Sequence, residues 1–264
     1  MEILVLHVFV SPFLLSFCLV ATTKKKLKKF LDLIQYQPIL GSMNKKIKLN
    51  DPAAYNVYFT SDWHLNHDPK NWDEPLWAKR GYASIEDHNR DIIDKVNARV
   101  RPKDYLINCG DIALHTKPEE LEEFLGQIDC NNIYLIFGNH CGPDFQIFKR
   151  ECEKLGLGKD IEVYPMKFEN VTFLGNYQEF SIRKKNIVVS HFPHEIFNKS
   201  HHGAWHISGH SHYSNKTTRA GYRNGLRLDV GWEGKNNIYS FEEVEEIMNY
   251  KRIQQLDHHD ENTN

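Results

Sequence analysis

Residues 55–64 read YNVYFTSDWH, a short apolar run that ends in an aspartate and a histidine. The run is rich in Tyr, Val and Phe, which is typical of a β-strand, so we predict a strand at 55–60. Two later runs have the same form, since DYLINCGD (104–111) ends in Gly-Asp and NNIYLIFGNH (131–140) ends in Gly-Asn-His. Amphipathic patterns at 84–100, 117–128 and 143–156 predict helices after these strands. The alternation of strand and helix indicates an α/β fold.

The second half of the chain has a different pattern. Closely spaced strand patterns occur at 161–165, 171–175, 178–183, 186–191, 205–210 and 226–232, and an acidic amphipathic helix is predicted at 241–250. We therefore predict one α/β domain with two packed sheets over residues 43–250. A polar, disordered tail is predicted at 251–264.

The first 42 residues form a segment of their own. An apolar run at 3–21 is long enough to span a bilayer and is followed by the basic stretch TTKKKLKKF. A cleaved signal peptide is disfavoured because no basic residue precedes the run and the sequence at its end is a poor cleavage site. Two interpretations stay open: a membrane anchor whose flanking lysines hold the downstream domain on the cytoplasmic side, or a true start at Met43. We predict a cytoplasmic protein, membrane-associated through residues 3–21 under the first interpretation.

Composition excludes some classes of function. The formal net charge is −2, which gives no drive toward nucleic acid or an anionic membrane. The five cysteines are irregularly spaced and form no CxxC, which argues against a disulfide framework or a zinc knuckle and favours a reducing compartment.

Polar side chains collect at the ends of the predicted strands. The carboxyl ends of strands in an open α/β sheet share one edge, so loops that are distant in sequence can meet there. The glycines that precede three of these residues are predicted to allow sharp turns. The set contains two aspartates, one asparagine and five histidines: Asp62, His64, Asp111, Asn139, His140, His191, His210 and His212.

These residue types indicate a metal centre. Carboxylate, amide oxygen and neutral imidazole suit Mn, Fe, Zn or Ni better than Ca or Mg. The set offers more ligands than one ion needs, and two ions that share a bridging carboxylate are suited to phosphoryl displacement.

The motifs DWH, GD, GNH, SH and GHSH, in that order, resemble those of the calcineurin-like metallophosphoesterase superfamily over about residues 55–250. A closer likeness is to its small bacterial and phage-type phosphoesterases. The resemblance implies a β-sandwich of two mixed sheets flanked by helices, in four α/β/β/α layers. It also implies hydrolysis of a phosphate mono- or diester by a hydroxide that bridges two divalent ions, with Mn the most suitable ion in vitro.

The resemblance also assigns roles to individual residues. Asp62, His64 and His212 match the ligands of one ion, and Asn139, His191 and His210 match those of the other. Asp111 matches the bridging carboxylate. His140 matches the histidine that stabilises developing charge or protonates the leaving group.

Other positions are less specific to the family. The stretches GDIALH and GNHC depart from the usual pattern of the family. In GNHC, Cys141 replaces an acid that would orient His140. Side chains expected to contact the substrate are His67, Arg80, Asn89 and His202. His206 is expected to be structural. An inactive scaffold that uses the same fold for protein binding and a nuclease stay as alternative functions, although the balanced charge does not favour the nuclease.

Overall fold

The computed structural model describes residues 46–69, 74–140, 142–154, 165–254 and 256. The N-terminal segment 1–42, the domain boundary at residue 43, Cys141, nearly all of the predicted strand at 161–165 and most of the tail lie outside the described residues. Within the described part of the chain, no helix is both long enough and apolar enough to cross a membrane.

Eleven strands occur within the described residues and form two sheets. In chain order they are β1 (Ile47–Leu49), β2 (Val57–Thr60), β3 (Tyr105–Asn108), β4 (Ile133–Leu135), β5 (Met166–Phe168), β6 (Val171–Phe173), β7 (Tyr177–Ile182), β8 (Lys185–Ser190), β9 (Trp205–Ser208), β10 (Arg227–Asp229) and β11 (Tyr239–Ser240). One sheet has the order β11-β2-β3-β4-β6-β5, and the other has the order β1-β7-β8-β9-β10.

Both sheets are mixed. In the six-stranded sheet β2, β3, β4 and β6 run parallel, and the edge strands β11 and β5 are antiparallel to their neighbours. In the five-stranded sheet only the β7–β8 hairpin is antiparallel. The carboxyl ends of β2, β3, β4 and β6 therefore point to one edge of the six-stranded sheet, and those of β8, β9 and β10 point to one edge of the five-stranded sheet.

Five α-helices lie in the described part of the chain: α1 (Leu76–Lys79), α2 (Ile85–Asn97), α3 (Pro118–Gly126), α4 (Pro143–Lys154) and α5 (Phe241–Tyr250). The α2 helix begins where the sequence predicts, since the Ser84 hydroxyl accepts a hydrogen bond from the Asp87 N–H at 3.1 Å. Ile92 and Val96 of α2 are fully buried and pack with apolar residues of α3 and α4 against the six-stranded sheet.

Alternation along the strands separates two apolar cores. In β3, Leu106 belongs to the core under the helices, whereas Ile107 belongs to the core between the sheets. The second core also contains Phe59 of β2 and Ile207 of β9. Because β2, β3 and β9 share this core, the positions of their carboxyl ends are fixed relative to each other.

The prediction of two mixed sheets flanked by helices is confirmed. The sequence patterns did not predict β1, β5, β11 or α1, which have only two to four residues each. The equally short β4, β6 and β10 were predicted because each lies within a longer apolar run, whereas these four elements do not.

Candidate metal centre

Backbone hydrogen bonds join the loops that follow the strands. The N–H groups of Asp62 and His64 donate to the carbonyls of Gly110 and Asp111, both at 3.0 Å. On the other sheet, the Gly209 N–H donates to the His191 carbonyl at 3.0 Å. The predicted meeting of distant loops at the sheet edge is thus built from main-chain bonds between them.

The backbone of these loops is unusual. Five of the seven predicted ligands have positive φ angles between 47° and 65°, a region that costs a residue with a side chain roughly 1–2 kcal/mol. The five are Asp62, His64, Asp111, His210 and His212. Strained backbone of this kind concentrates at functional sites, where it fixes the direction of a side chain.

Two glycines let these loops approach one another. A Cβ on Gly138 would overlap the Asp111 carboxylate, and a Cβ on Gly209 would overlap the Ser61 hydroxyl. Neither of these two glycines has a positive φ, so backbone conformation does not require glycine at either position. They are needed for close approach, whereas Gly110, at φ 110°, has the predicted turn conformation.

One donor group contains Asp62, His64 and His212, whose ligand atoms all lie within 4.8 Å of one another. The rings of His64 and His212 stack with their centroids 4.9 Å apart. His64 is buried, and among the described residues neither of its ring nitrogens has a hydrogen-bond partner. A buried polar group without a partner is costly, and a metal ion in this position would remove that cost.

A second donor group centres on Asn139. Its side-chain oxygen is 2.8 Å from His191 Nε2 and 2.8 Å from His210 Nδ1. His191 Nδ1 lies 3.0 Å from the Cys109 carbonyl and is assigned as a donor to it, which leaves the Nε2 lone pair facing the centre.

Asp111 lies between the two groups. Its Oδ2 is 3.2 Å from His191 Nε2 and 3.8 Å from His64 Nε2, and its Oδ1 accepts a hydrogen bond from the His140 N–H at 2.9 Å. Asp62 is also close to both groups, since its carboxylate lies within 4.8 Å of ligand atoms of Asp111 and His191. Two carboxylates, rather than Asp111 alone, therefore lie between the imidazole sets.

Burial dominates the electrostatics of the centre. It raises the pKa of Asp62 to about 7, although His212 and His191 act in the opposite direction. Burial and then the charge of His212 lower the pKa of His64 to about 2, so this imidazole is neutral and its lone pair is free to bind a cation. For Asp111, burial acts upward but is outweighed by the hydrogen bond and charge of His191, which leaves a pKa of about 2. Buried carboxylates facing neutral imidazoles form a donor set suited to divalent cations.

Two further histidines line the centre. The His140 ring is 5.5 Å from the His64 ring, and the buried His67 ring is 5.2 Å from it. Burial, followed by the nearby His115, lowers the pKa of His67 to about 4. Among the described residues, His67 is the predicted substrate contact whose ring lies against a ring of the centre, that of His64.

The other three lie apart from the donor atoms. Arg80 hydrogen-bonds to the backbone behind the 62–64 loop. The buried Asn89 side chain bonds the backbone and side chain of Asn66 at 3.2 and 2.7 Å. His202 is exposed on the short 3-10 turn Ser200–His202, where its ring packs on that of His201. These positions favour structural roles for Arg80 and Asn89.

Sequence reasoning missed two acids at the centre, the buried Asp229 and the partly buried Glu233. Asp229 accepts hydrogen bonds from the Ser211 hydroxyl, from the Tyr213 N–H at 3.0 Å and from the Gly231 N–H at 2.8 Å, and so fixes the turn that carries His212. Glu233 lies 2.8 Å from His212 Nδ1. Both lie in the stretch DVGWEG (229–234), and nothing in their spacing indicates a contact with the centre.

His206 has a structural position, as predicted. It is fully buried, its Nε2 accepts a hydrogen bond from the His194 N–H at 2.9 Å, and its Nδ1 lies 3.2 Å from the Val188 carbonyl. The ring thereby holds the loop 192–204 against β8.

Comparison with known proteins matches the chain to a protein family. A family model described as calcineurin-like phosphoesterase matches residues 55–230. The crystal structure of the protein of unknown function AQ665 from Aquifex aeolicus matches with a TM-score of 0.48 and 17% identity, over 73% of this chain and 99% of that one. No curated protein matches. The narrower likeness to bacterial and phage-type enzymes stays a prediction.

Proposed function

Because the chain belongs to the calcineurin-like phosphoesterase family, we propose that it is a dinuclear metal-dependent phosphoesterase that hydrolyses a phosphate mono- or diester. The observation that supports this most is the pair of donor groups at one sheet edge, with the carboxylates of Asp62 and Asp111 close to both.

The residues divide between two cations. Asp62, His64 and His212 would hold one ion, Asn139, His191 and His210 would hold the other, and Asp111 would face both. Two divalent ions bound there would neutralise the charge of a phosphate ester and lower the pKa of water toward neutrality. Mn²⁺ is the first ion to test, because the mixed oxygen and imidazole donors suit it.

His140 is suited to assist bond cleavage. Hydroxide adds to phosphorus, the bond from phosphorus to the leaving oxygen breaks, and that oxygen takes up a proton. The His140 backbone is held by Asp111 Oδ1, and its ring is close to that of His64, so its imidazole can donate this proton or stabilise the developing charge.

The test is hydrolysis of p-nitrophenyl phosphate and bis-p-nitrophenyl phosphate by the Mn²⁺-loaded chain, with chelator-treated protein as the blank. His140→Ala is expected to lower kcat about 10²- to 10⁴-fold, the usual contribution of a general acid. His194→Ala, which removes an exposed histidine of the 192–204 loop, serves as the matched control.

Other outcomes separate the alternatives. A metal-loaded chain that is inert toward both esters and toward natural phosphate esters, and on which His140→Ala has no effect, would indicate the inactive scaffold. Activity on small esters that does not change with salt would count against a nuclease, because binding to a phosphate backbone weakens steeply as salt rises.

A further inference from the structure

Arg80 and the partly buried Glu233 form an ion pair directly behind the first donor group. Only 5% of the Arg80 side chain is exposed, and Glu233 Oε1 accepts hydrogen bonds from Arg80 Nε at 2.9 Å and Nη2 at 2.7 Å. Both bonds are charge-assisted and end on the same oxygen, so they fix the position of Glu233 Oε1. The same Oε1 is 2.8 Å from His212 Nδ1.

The remaining donors of Arg80 bind the loop that carries the other two ligands. Its Nη2 donates to the Asp62 carbonyl at 2.6 Å, and its Nη1 donates to the Trp63 carbonyl at 2.9 Å. The last N–H meets His88 Nε2 at 2.8 Å. All five guanidinium N–H groups thus have partners within the described chain, and none is left for a substrate phosphate.

We propose that Arg80 and Glu233 are positioning residues that hold the first donor group in its metal-binding geometry. Glu233 accepts a hydrogen bond from the Nδ1–H of His212, which leaves the Nε2 lone pair directed at the site. His212 Nε2 lies 3.9 Å from Asp62 Oδ1. Arg80 holds Glu233 on one side and the backbone of Asp62 and Trp63 on the other. One side chain therefore sets the distance between His212 and the Asp62–His64 loop.

Glu233 contacts His212, so we expect its loss to weaken mainly the ion of the first donor group. Asn139, His191 and His210 are held by other contacts, among them the bond between His191 Nδ1 and the Cys109 carbonyl. Loss of a carboxylate that orients a metal-ligating histidine typically weakens metal binding 10- to 100-fold. This inference rests on the proposed metal centre.

The experiment measures the affinity of each of the two sites for Mn²⁺ by competition with a chelator, together with metal content by mass spectrometry. Glu233→Gln is expected to weaken the same ion as His212→Ala, by about 10- to 100-fold, and to leave the other ion bound. Arg80→Lys keeps the charge but loses the planar fork, so it is expected to weaken the same ion. Glu233→Ala is expected to weaken binding of this ion more than Glu233→Gln does, because glutamine keeps an oxygen that can accept a hydrogen bond from His212 Nδ1.

Glu243→Gln is the matched control. Glu243 also pairs with an arginine, Arg99, at 3.0 Å, but it lies on α5, where its side chain bonds Arg99, Lys235 and the Ser240 N–H. If Glu233→Gln and Glu243→Gln both lower thermal stability and both weaken the two ions equally, the effect is a general folding defect. That result would overturn the proposal. Wild-type affinity for both ions in Glu233→Ala would also overturn it. A wild-type chain that binds no divalent ion would instead refute the metal centre itself, and the positioning role with it.

Discussion

Acid is expected to destabilise the fold through His206, whose ring is locked in its neutral form. The Val188 carbonyl requires a proton on Nδ1, and the His194 N–H requires a lone pair on Nε2. Protonation of Nε2 would leave two donors facing each other inside a fully buried site. The folded protein therefore resists taking up this proton, whereas the unfolded chain takes it up freely.

The size of the effect follows from the shift in pKa. Burial, and then the neighbouring His194, lower the pKa of His206 from 6.5 to about 3. Because the folded value is the lower one, the stability from this residue is fully present above pH 6.5 and is lost as the pH falls toward 3. Between pH 7 and pH 5 the unfolded state gains nearly one proton at this position, which lowers the free energy of unfolding by about 2 kcal/mol.

The assay is urea denaturation of the metal-free wild type and of His206→Gln at pH 7 and pH 5. Glutamine can accept the His194 N–H but cannot be protonated, so the variant should lose about 2 kcal/mol less than the wild type between the two pH values. Any packing loss in the variant is present at both pH values and cancels in the difference. The contributions of other buried histidines cancel as well, because both proteins retain them. An equal fall in both proteins would refute the reasoning.

Four further substitutions test the geometry of the centre. Asp111→Asn is expected to lose both ions and most of the activity, because Asp111 Oδ2 faces donors of both groups. Loss of a single ion, counted by mass spectrometry, would contradict the central position of Asp111. His212→Ala and His210→Ala are expected to remove different ions, so each single variant should keep one ion per chain and the double variant none. A double variant that keeps one ion would make the assigned grouping wrong. Gly138→Ala is expected to cost about 1–3 kcal/mol in thermal unfolding and to weaken metal binding, because its new Cβ overlaps the Asp111 carboxylate. Wild-type melting and metal affinity in this variant would refute the close-approach argument.

The predicted donor residues were accessible from sequence because their chemistry lies in residue type and in position at a strand end. Asp62 and Asp111 follow the parallel strands β2 and β3, whose carboxyl ends share one edge of the six-stranded sheet, so their convergence needed only the strand pattern. His191 follows β8 of the other sheet, and its approach to Asp111 depends on the packing of the two sheets. The roles of these residues as ligands stay predictions.

The contacts that support the donors were not accessible in this way. Arg80 and Glu233 are 153 residues apart, and although Glu233 directly follows the predicted strand at 226–232, no sequence pattern pairs it with Arg80. Arg80 was expected to contact the substrate. What decides its role is burial on all sides, which depends on how α1 packs behind the 62–64 loop, and α1 is too short to appear in the periodicity.

The left-handed backbone at five predicted ligands links these two observations. Each such residue costs roughly 1–2 kcal/mol, and the conformations persist only where surrounding bonds enforce them. Here the enforcing bonds run between loops: Asp62 to Gly110, His64 to Asp111, and the His210 N–H to the Asp62 carboxylate at 3.0 Å. Because these bonds are formed by the chain itself, the donors already face one another before any cation binds. The affinity for metal therefore depends on residues that never touch it, and a substitution among them changes the metal site without changing a ligand.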